Sequence, residues 1–263
     1  MSQEQNELAA LSQALKKTME RKRHLGQRRV GRGPCTASPR ATTAKIDATP
    51  VPVAHLAQPQ VLPASPESQT TMARECLNLD QLERAASRCQ ACPLHKGRHN
   101  PVFSDGNPGP GGILFLGEAP SDADNSTGTP FSGPPGQLLT DIIVKGMGLN
   151  RQQVTITPMV KCPTPGGRAP AGEEVELCAP ILRRQLELVN PRVLIPLGQG
   201  PANFLLARKS PLAELRNQIF ESQGRQIVAT FHPGQLLQDP AKKRDCWADI
   251  RRAMAAADIK KPS

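Results

Sequence analysis

Apolar and polar residues change their spacing several times after about residue 79, and each spacing predicts a different element. Short apolar runs that end in glycine or proline predict buried strands, whereas apolar residues three and four positions apart predict helices with one buried face. In chain order these are a strand over 112–117, a helix over 136–149, a strand over 154–157, a helix over 173–189, a strand over 192–198, a short helix over 201–207, a strand over 226–233 and a helix over 239–257.

This alternation of strands and helices predicts the fold class. Right-handed crossovers between such strands give a parallel sheet covered on both faces. We therefore predict an α/β fold, a three-layer α/β/α sandwich around a central four-stranded parallel sheet. Ligands bind beyond the carboxyl ends of the strands in sheets of this kind. Unusual residues follow three of the strand ends, at Gly117–Pro120, Pro158–Cys162 and His232-Pro233, so a functional site is expected there.

Residues 1–73 have a different composition from the domain that we predict over 79–257. Basic residues cluster over 21–40, and Pro, Ala, Ser, Thr and Gln dominate the stretch that follows. Such a segment buries too little apolar surface to offset its chain entropy, so we predict a disordered basic tail. Leucines and a methionine at helical spacing predict a short helix near 4–22, which could dock a protein partner or the chain's own domain.

The charge balance points to a polyanionic partner. Lys and Arg number 33 against 23 Asp and Glu, a formal net charge of +10, and nucleic acid is the most frequent partner of such a chain. Residues 1–73 hold ten of the basic and five of the acidic residues. The first ten residues include two acids and no basic residue, unlike a signal peptide. No apolar run reaches the roughly 20 residues of a membrane helix. We therefore expect a cytoplasmic, nucleoid-associated protein that contacts no membrane.

Four of the seven cysteines have a spacing that is typical of metal ligands. Cys89 and Cys92 form a C-x₂-C pair, and Cys162 and Cys178 lie at a strand end and in the following helix. Four thiolates can hold a structural zinc ion or a 4Fe–4S cluster, and the single tight pair favours iron–sulfur over zinc. A redox pair with two buried thiols is the weaker alternative. We interpret the remaining cysteines as free thiols; they are Cys35, Cys76 and Cys246.

In this order the motifs resemble the family 4 uracil-DNA glycosylases, the iron–sulfur branch of the uracil-DNA glycosylase superfamily. The resemblance runs from about Cys89 to Met254 and leaves out the tail. The motifs that carry it are Cys89-x₂-Cys92, GEAP at 117–120, G-x-PF-x-G at 128–133, GQLL at 136–139, VKC at 160–162, Cys178-x-Pro, PRVLIPLG at 191–198, HP-x-x-LL at 232–237 and Trp247-x-Asp249. It implies a structural 4Fe–4S cluster and excision of uracil, or of a related deaminated base, from DNA by base flipping.

The resemblance also implies roles for individual residues. Phe131 matches the aromatic side chain that stacks on uracil, and Gly117, Glu118, Ala119 and Pro120 form a turn whose backbone N–H groups can bind the base and position water. His232 is expected to donate a hydrogen bond to the uracil anion that develops as the bond breaks.

An acid near the sugar can stabilise the cation or orient water, and we assign this role to Asp124 and a role in pocket structure to Glu118. Leu236 or Leu237 could enter the gap that the flipped base leaves in the duplex, or could equally belong to the core.

Two positions depart from the family pattern. Pro158 stands where the family has an Asn that reads the base edge, and Gly167 replaces a second Asn before Arg168. Proline has no side-chain donor and no N–H, so these changes weaken the expectation of uracil selectivity. The alternative is a non-catalytic iron–sulfur DNA-binding protein on the same scaffold. A third reading, a zinc-stabilised nucleotide-binding domain, is weaker because no glycine-rich phosphate loop opens a helix.

Overall fold

The computed structural model describes residues 65–106 and 111–259 of the chain. The helix predicted near 4–22, the basic cluster over 21–40 and Cys35 lie outside these residues. The sheet is built from β1 (Ile113–Gly117), β2 (Thr155–Pro158), β3 (Val193–Pro196), β4 (Phe220–Ser222) and β5 (Arg225–Ile227). Its strand order is β2-β1-β3-β5-β4. Strands β2, β1, β3 and β5 run parallel to one another, and the edge strand β4 pairs with β5 in the antiparallel sense.

Nine α-helices are found among the described residues. They are α1 (Pro66–Glu75), α2 (Leu79–Arg88), α3 (Asp122–Thr127), α4 (Pro134–Asp141), α5 (Gly172–Val189), α6 (Gln199–Leu206), α7 (Leu212–Leu215), α8 (Pro233–Gln238) and α9 (Lys243–Ala256). Among them, no helix is both long enough and apolar enough to cross a membrane.

Alternate residues of β1 are buried on opposite faces of the sheet, as the two-residue period of a strand requires. Ile113 and Phe115 pack in a core that includes α4 and α9, whereas Leu114 and Leu116 pack in a second core with α5. All five residues of β1 are buried, which explains why the sequence shows an unbroken apolar run. The α/β/α layers predicted from the sequence are confirmed.

The sheet has one strand more than the four predicted, because β4 adds a fifth, antiparallel strand at the edge. Gln223 and Gly224 both have positive φ, of 52° and 72°, and join β4 to β5 in a two-residue hairpin. Turns with two positive φ angles match the twist of paired strands. The strand predicted over 226–233 is correspondingly shorter, since β5 ends at Ile227 and only an isolated bridge at Thr230 continues it.

The boundary predicted for the tail at residue 73 is also wrong, because α1 begins at Pro66. Ser65 caps this helix by accepting a hydrogen bond from the Ser68 N–H, and proline at the first helical position suits an N-terminus. Ala73 and Cys76 are buried in one cluster with Leu82 of α2 and Ile181 of α5. The folded body therefore includes a helix that composition alone assigned to the tail.

Candidate active site

An aromatic ring lies directly against the carboxyl end of β1. A Cβ atom added to Gly117 would lie 2.7 Å from Cε2 of Phe131, so only glycine lets the ring approach the strand so closely. The ring centroids of Phe131 and His232 are 5.5 Å apart, and their planes differ by 34°. The structure therefore brings together three residues that the sequence analysis assigned to the base pocket.

The backbone at Phe131 has a left-handed conformation, with φ of 56°. A non-glycine residue in this region costs roughly 1–3 kcal/mol and persists only where its surroundings hold it. The next residue, Ser132, donates its backbone N–H to Asp124 Oδ1 at 2.6 Å. A Cβ atom on Gly136 would lie 1.6 Å from the Phe131 carbonyl oxygen, so the following turn needs glycine as well. The loop motif thus serves to hold one ring in place.

Asp124 is buried beside this loop and holds it to α3. Its Oδ2 accepts the backbone N–H of Ser121 at 3.0 Å, and the Ser121 hydroxyl caps α3 by accepting the Asp124 N–H. The two backbone donors hold in place a side chain that is only 6% exposed. Its negative charge favours protonation of His232, which places the two side chains in one electrostatic environment.

His232 has a defined tautomer in this structure. It is the N-cap of α8, and its Nδ1 accepts the backbone N–H of Gly234 at 3.1 Å. Nδ1 is therefore unprotonated, and the ring proton of the neutral imidazole is on Nε2. Burial lowers the pKa of His232 below its ordinary value, and the nearby Asp124 carboxylate opposes this change. At neutral pH the side chain is consequently a neutral Nε2–H donor.

The carboxyl end of β2 lies beside that of β1, with Pro158 in register with Gly117. Pro158 is buried. The next two N–H groups bind the neighbouring turn, because Met159 N donates to Gly117 O at 2.8 Å and Val160 N to Glu118 O at 3.2 Å. This strand end therefore provides neither a side-chain amide nor those two backbone donors for binding a ligand.

Glu118 projects away from Phe131, on the face of the sheet that packs against α5 and α6. A Cβ atom on Gly200 of α6 would lie 2.4 Å from Glu118 Oε1. The carboxyl group lines a cavity of about 930 Å³ that also includes Met159 and Phe204. Burial raises the pKa of Glu118 above its ordinary value. The structure thus separates Glu118 from the ring pair to which the sequence analysis assigned it.

The two candidate wedge leucines of α8 differ in exposure. Leu236 is 1% exposed and belongs to the core, whereas Leu237 is 44% exposed. Of the two predicted DNA-contacting leucines, only Leu237 is on the surface. In the turn after β1, Pro120 is buried, and Ala119 packs among Cys92, Cys162 and Cys178. The base-pocket turn and the cysteines are therefore in direct contact.

The four predicted ligand cysteines line one cavity in the structure. Cys89 ends α2, Cys92 begins a 3₁₀ turn, Cys162 follows β2, and Cys178 lies within α5; all four line the cavity. Among the described residues, no three or more His, Cys, Asp or Glu side chains converge closely enough to hold a single ion. Cys76 and Cys246 are buried elsewhere in the core.

These thiols are partly or fully buried, and two cations line their cavity together with His95 and the apolar Leu177 and Ile181. Burial raises the pKa of Cys178 to about 12, and it also raises the pKa values of Cys92 and Cys162. Thiols of this kind are protonated and inert unless a cation binds them. Arg98 and Lys161 line the same cavity, and Arg98 Nη1 donates to Cys162 Sγ at 3.5 Å.

The sequence analysis missed the roles of Arg98 and Lys161. Lys161 is 2% exposed, and burial lowers its pKa to about 7, while the charge interaction with Cys178 and Cys162 opposes the change. The position of Lys161 directly after the apolar Met159 and Val160 could have indicated its role. A lysine in such a buried segment is almost never fully buried unless its charge is paired. No comparable pattern in the sequence points to Arg98.

Comparisons with known proteins agree with this geometry. The sequence profile of the uracil DNA glycosylase superfamily matches residues 103–251. The chain is 34% identical to the type-4 uracil-DNA glycosylase of Saccharolobus solfataricus, over 70% of this chain and 88% of that protein. It is 35% identical to the type-4 uracil-DNA glycosylase of Thermotoga maritima, over 66% and 92%. A type-5 uracil-DNA glycosylase of Pyrobaculum aerophilum is 29% identical, over 61% and 76%.

The profile match over residues 103–251, more than half of the chain, shows that the chain belongs to the uracil DNA glycosylase superfamily. Within the superfamily the chain belongs to the type-4 uracil-DNA glycosylases, since it covers about nine tenths of relatives with that name at 34–35% identity.

Proposed function

We propose that the protein is a DNA repair enzyme that hydrolyses the N-glycosidic bond of uracil, or of a related deaminated base, after the nucleotide has flipped out of the DNA. The observation that carries this proposal is the pair formed by Phe131 and His232. The ring of one offers a face on which a pyrimidine can stack, and the imidazole of the other offers an Nε2–H donor beside it. Enzymes that act on a flipped base require both kinds of contact.

The chemistry follows from where charge develops. When the bond to the sugar breaks, the base takes the electron pair and the sugar becomes an oxocarbenium-like cation. The neutral imidazole of His232 carries its proton on Nε2, and this N–H group can stabilise the base anion by donating a hydrogen bond to it. The Asp124 carboxylate, held by two backbone N–H groups, can favour the cation and orient the attacking water. Backbone groups of residues 117–120 contribute further contacts, and Glu118 supports the turn from the opposite face.

A base-excision assay tests the proposal directly. Oligonucleotides that contain one uracil, hypoxanthine, xanthine or hydroxymethyluracil are incubated with the full chain, and abasic sites are cleaved with alkali. Strand cleavage at uracil supports the glycosylase function, and the other three bases show how selective the pocket is. No cleavage at any of the four would contradict it.

A second candidate function is non-catalytic binding of DNA on the same scaffold. Pro158 favours this candidate, because the strand end beside Gly117 lacks a side-chain amide to read the base. The two candidates differ in one measurement, since a binding protein would retain affinity for DNA while the excision assay shows no product.

We propose that the four cysteines of this cavity hold a structural 4Fe–4S cluster, with zinc as the alternative. Four thiols share one cavity, and an arginine N–H reaches one sulfur; hydrogen bonds of this kind tune metal–thiolate sites. When bound, the cluster would cross-link α2, the loop after β2 and α5. The excision chemistry derived above uses none of these cysteines.

Replacing Cys162 by alanine is expected to remove the metal and reduce solubility together, because the bound group closes a long loop. Purified wild-type protein should be brown, with about four iron atoms and four acid-labile sulfides per chain. Replacement of the buried Cys246 by alanine is the matched control and should leave the iron content unchanged. A colourless wild-type protein with one zinc ion would overturn the iron–sulfur assignment.

The positively charged N-terminal segment is proposed to add affinity for DNA. Residues 1–64 contain ten Lys and Arg and four Asp and Glu. Deleting them while retaining α1 should weaken DNA binding to all sequences and flatten its dependence on salt, because fewer counterions are released. Excision at saturating substrate should persist. If the salt dependence of DNA binding is unchanged, we infer that the segment binds a protein partner through its predicted helix.

A further inference from the structure

Lys161 has an extensive set of contacts that the proposed chemistry does not use. Its Nζ is 2.7 Å from Thr157 Oγ1, 2.7 Å from Gln185 Oε1 and 2.9 Å from the Pro158 carbonyl oxygen. The Phe103 carbonyl oxygen is 3.4 Å away, and the Phe103 ring centroid is 5.3 Å away. The side chain is 2% exposed, so these oxygens replace its hydration.

The partners of this ammonium group come from three separate parts of the fold. Thr157 and Pro158 form the carboxyl end of β2, which lies in register with Gly117 in the base pocket. Gln185 belongs to α5, two turns beyond Cys178. Phe103 comes from the segment before β1. One side chain therefore ties the wall of the base pocket to the helix that carries a candidate metal ligand.

Gln185 shows that this arrangement is costly. Its Oε1 accepts from Lys161 and from the Thr157 hydroxyl, while its Nε2 is buried without a partner among the described residues. An unpaired buried N–H group is unfavourable, and so is a buried ammonium. An apolar pair of similar volume would fill the same space without either cost. Packing alone does not explain why four oxygen atoms surround Lys161 Nζ.

We propose that Lys161 is a positioning residue for base excision, whose Nζ holds the β2 end at Pro158 in its place beside Gly117 by donating hydrogen bonds to it. The inference rests on the proposed function. The excised base must lie against both strand ends, and a displacement of about 1 Å at such a wall can lower a catalytic rate about 100-fold. Lys161 acts only through the backbone that it holds.

The test compares Lys161→Met and Lys161→Arg with Lys145→Met. Lys145 is an exposed lysine that follows α4 and pairs with Asp141. Excision of uracil is measured as kcat and KM per folded molecule of equal metal content. We expect kcat to fall about 100-fold in Lys161→Met, to recover partly in Lys161→Arg, and to stay at the wild-type value in Lys145→Met. A wild-type kcat in folded, metal-loaded Lys161→Met would overturn the inference.

Two further arms keep the test decisive. If Lys161→Met does not fold, Thr157→Val removes one acceptor with little change in shape. A fall in kcat at unchanged metal content then supports the role, and an unchanged kcat refutes it. If the wild type excises no base, the proposed function fails, and the positioning role is judged by the amide NMR signal of Gly117. A shift of this signal in Thr157→Val but not in Lys145→Met supports positioning, and an identical signal in all three proteins contradicts it.

Discussion

Replacing His232 by alanine is expected to reduce uracil excision by at least about 100-fold, the effect of removing one donor to a developing anion. The structure gives the reason for so large an effect. Gly234 N–H occupies Nδ1, so the whole donor capacity of the neutral ring is the single Nε2–H beside Phe131. Single-turnover excision at saturating enzyme measures the chemical step without the contribution of product release.

His232→Asn is the matched control for folding. Its side-chain oxygen can still cap α8 by accepting the Gly234 N–H, which alanine cannot do. Both variants should be equally impaired in excision if donation to the base is the essential role. If His232→Asn kept the wild-type rate while His232→Ala lost it, the histidine would matter only as a helix cap.

The same histidine predicts a pH dependence of stability that both variants lack. Burial lowers its pKa in the folded protein, so the unfolded chain binds the proton more tightly. The stability from neutral His232 is present above its ordinary pKa of about 6.5 and is lost as the pH falls towards the lower folded value. Wild type should therefore lose more stability than His232→Asn between about pH 7.5 and 5.5.

Most of the fold could be predicted from the sequence because the buried strands are short and strongly apolar. The run over 112–117 became β1, and the helix predicted over 173–189 became α5, which begins at Gly172. The hairpin of β4 and β5 was missed because both strands have only three residues and are mostly half-exposed. Their turn, Gln-Gly, lacks the Asn or Asp that usually identifies such a hairpin.

The candidate site was harder to predict at the level of single side chains. Gly117 and Glu118 were grouped because they are adjacent, but successive residues of a strand point to opposite faces, and Glu118 lies beside Gly200. The helical period likewise separates Leu236 from Leu237, and only the latter is exposed. Motif order alone does not carry this directional information.

Replacing Pro158 by asparagine is expected to raise uracil excision about 10- to 100-fold, because an amide paired to the base edge adds about 1–3 kcal/mol of transition-state stabilisation. The position faces the pocket wall, in register with Gly117. Its carbonyl oxygen already accepts from Lys161 Nζ at 2.9 Å, so the backbone is held whichever side chain it carries. The substitution should also sharpen rejection of other deaminated bases, since a site that pairs with the base edge leaves groups unpaired with a wrong base.

Pro158→Ala separates the two changes that asparagine introduces. Alanine restores the backbone N–H without the amide, so an increase seen only with asparagine identifies the side chain as the base reader. If the wild type is inactive on every deaminated base and Pro158→Asn restores activity, the natural protein is a DNA-binding relative whose pocket lost its reader. If Pro158→Asn changes nothing in an active enzyme, the end of β2 does not contact the base. The pocket then selects its substrate through His232, Phe131 and the backbone after β1 alone.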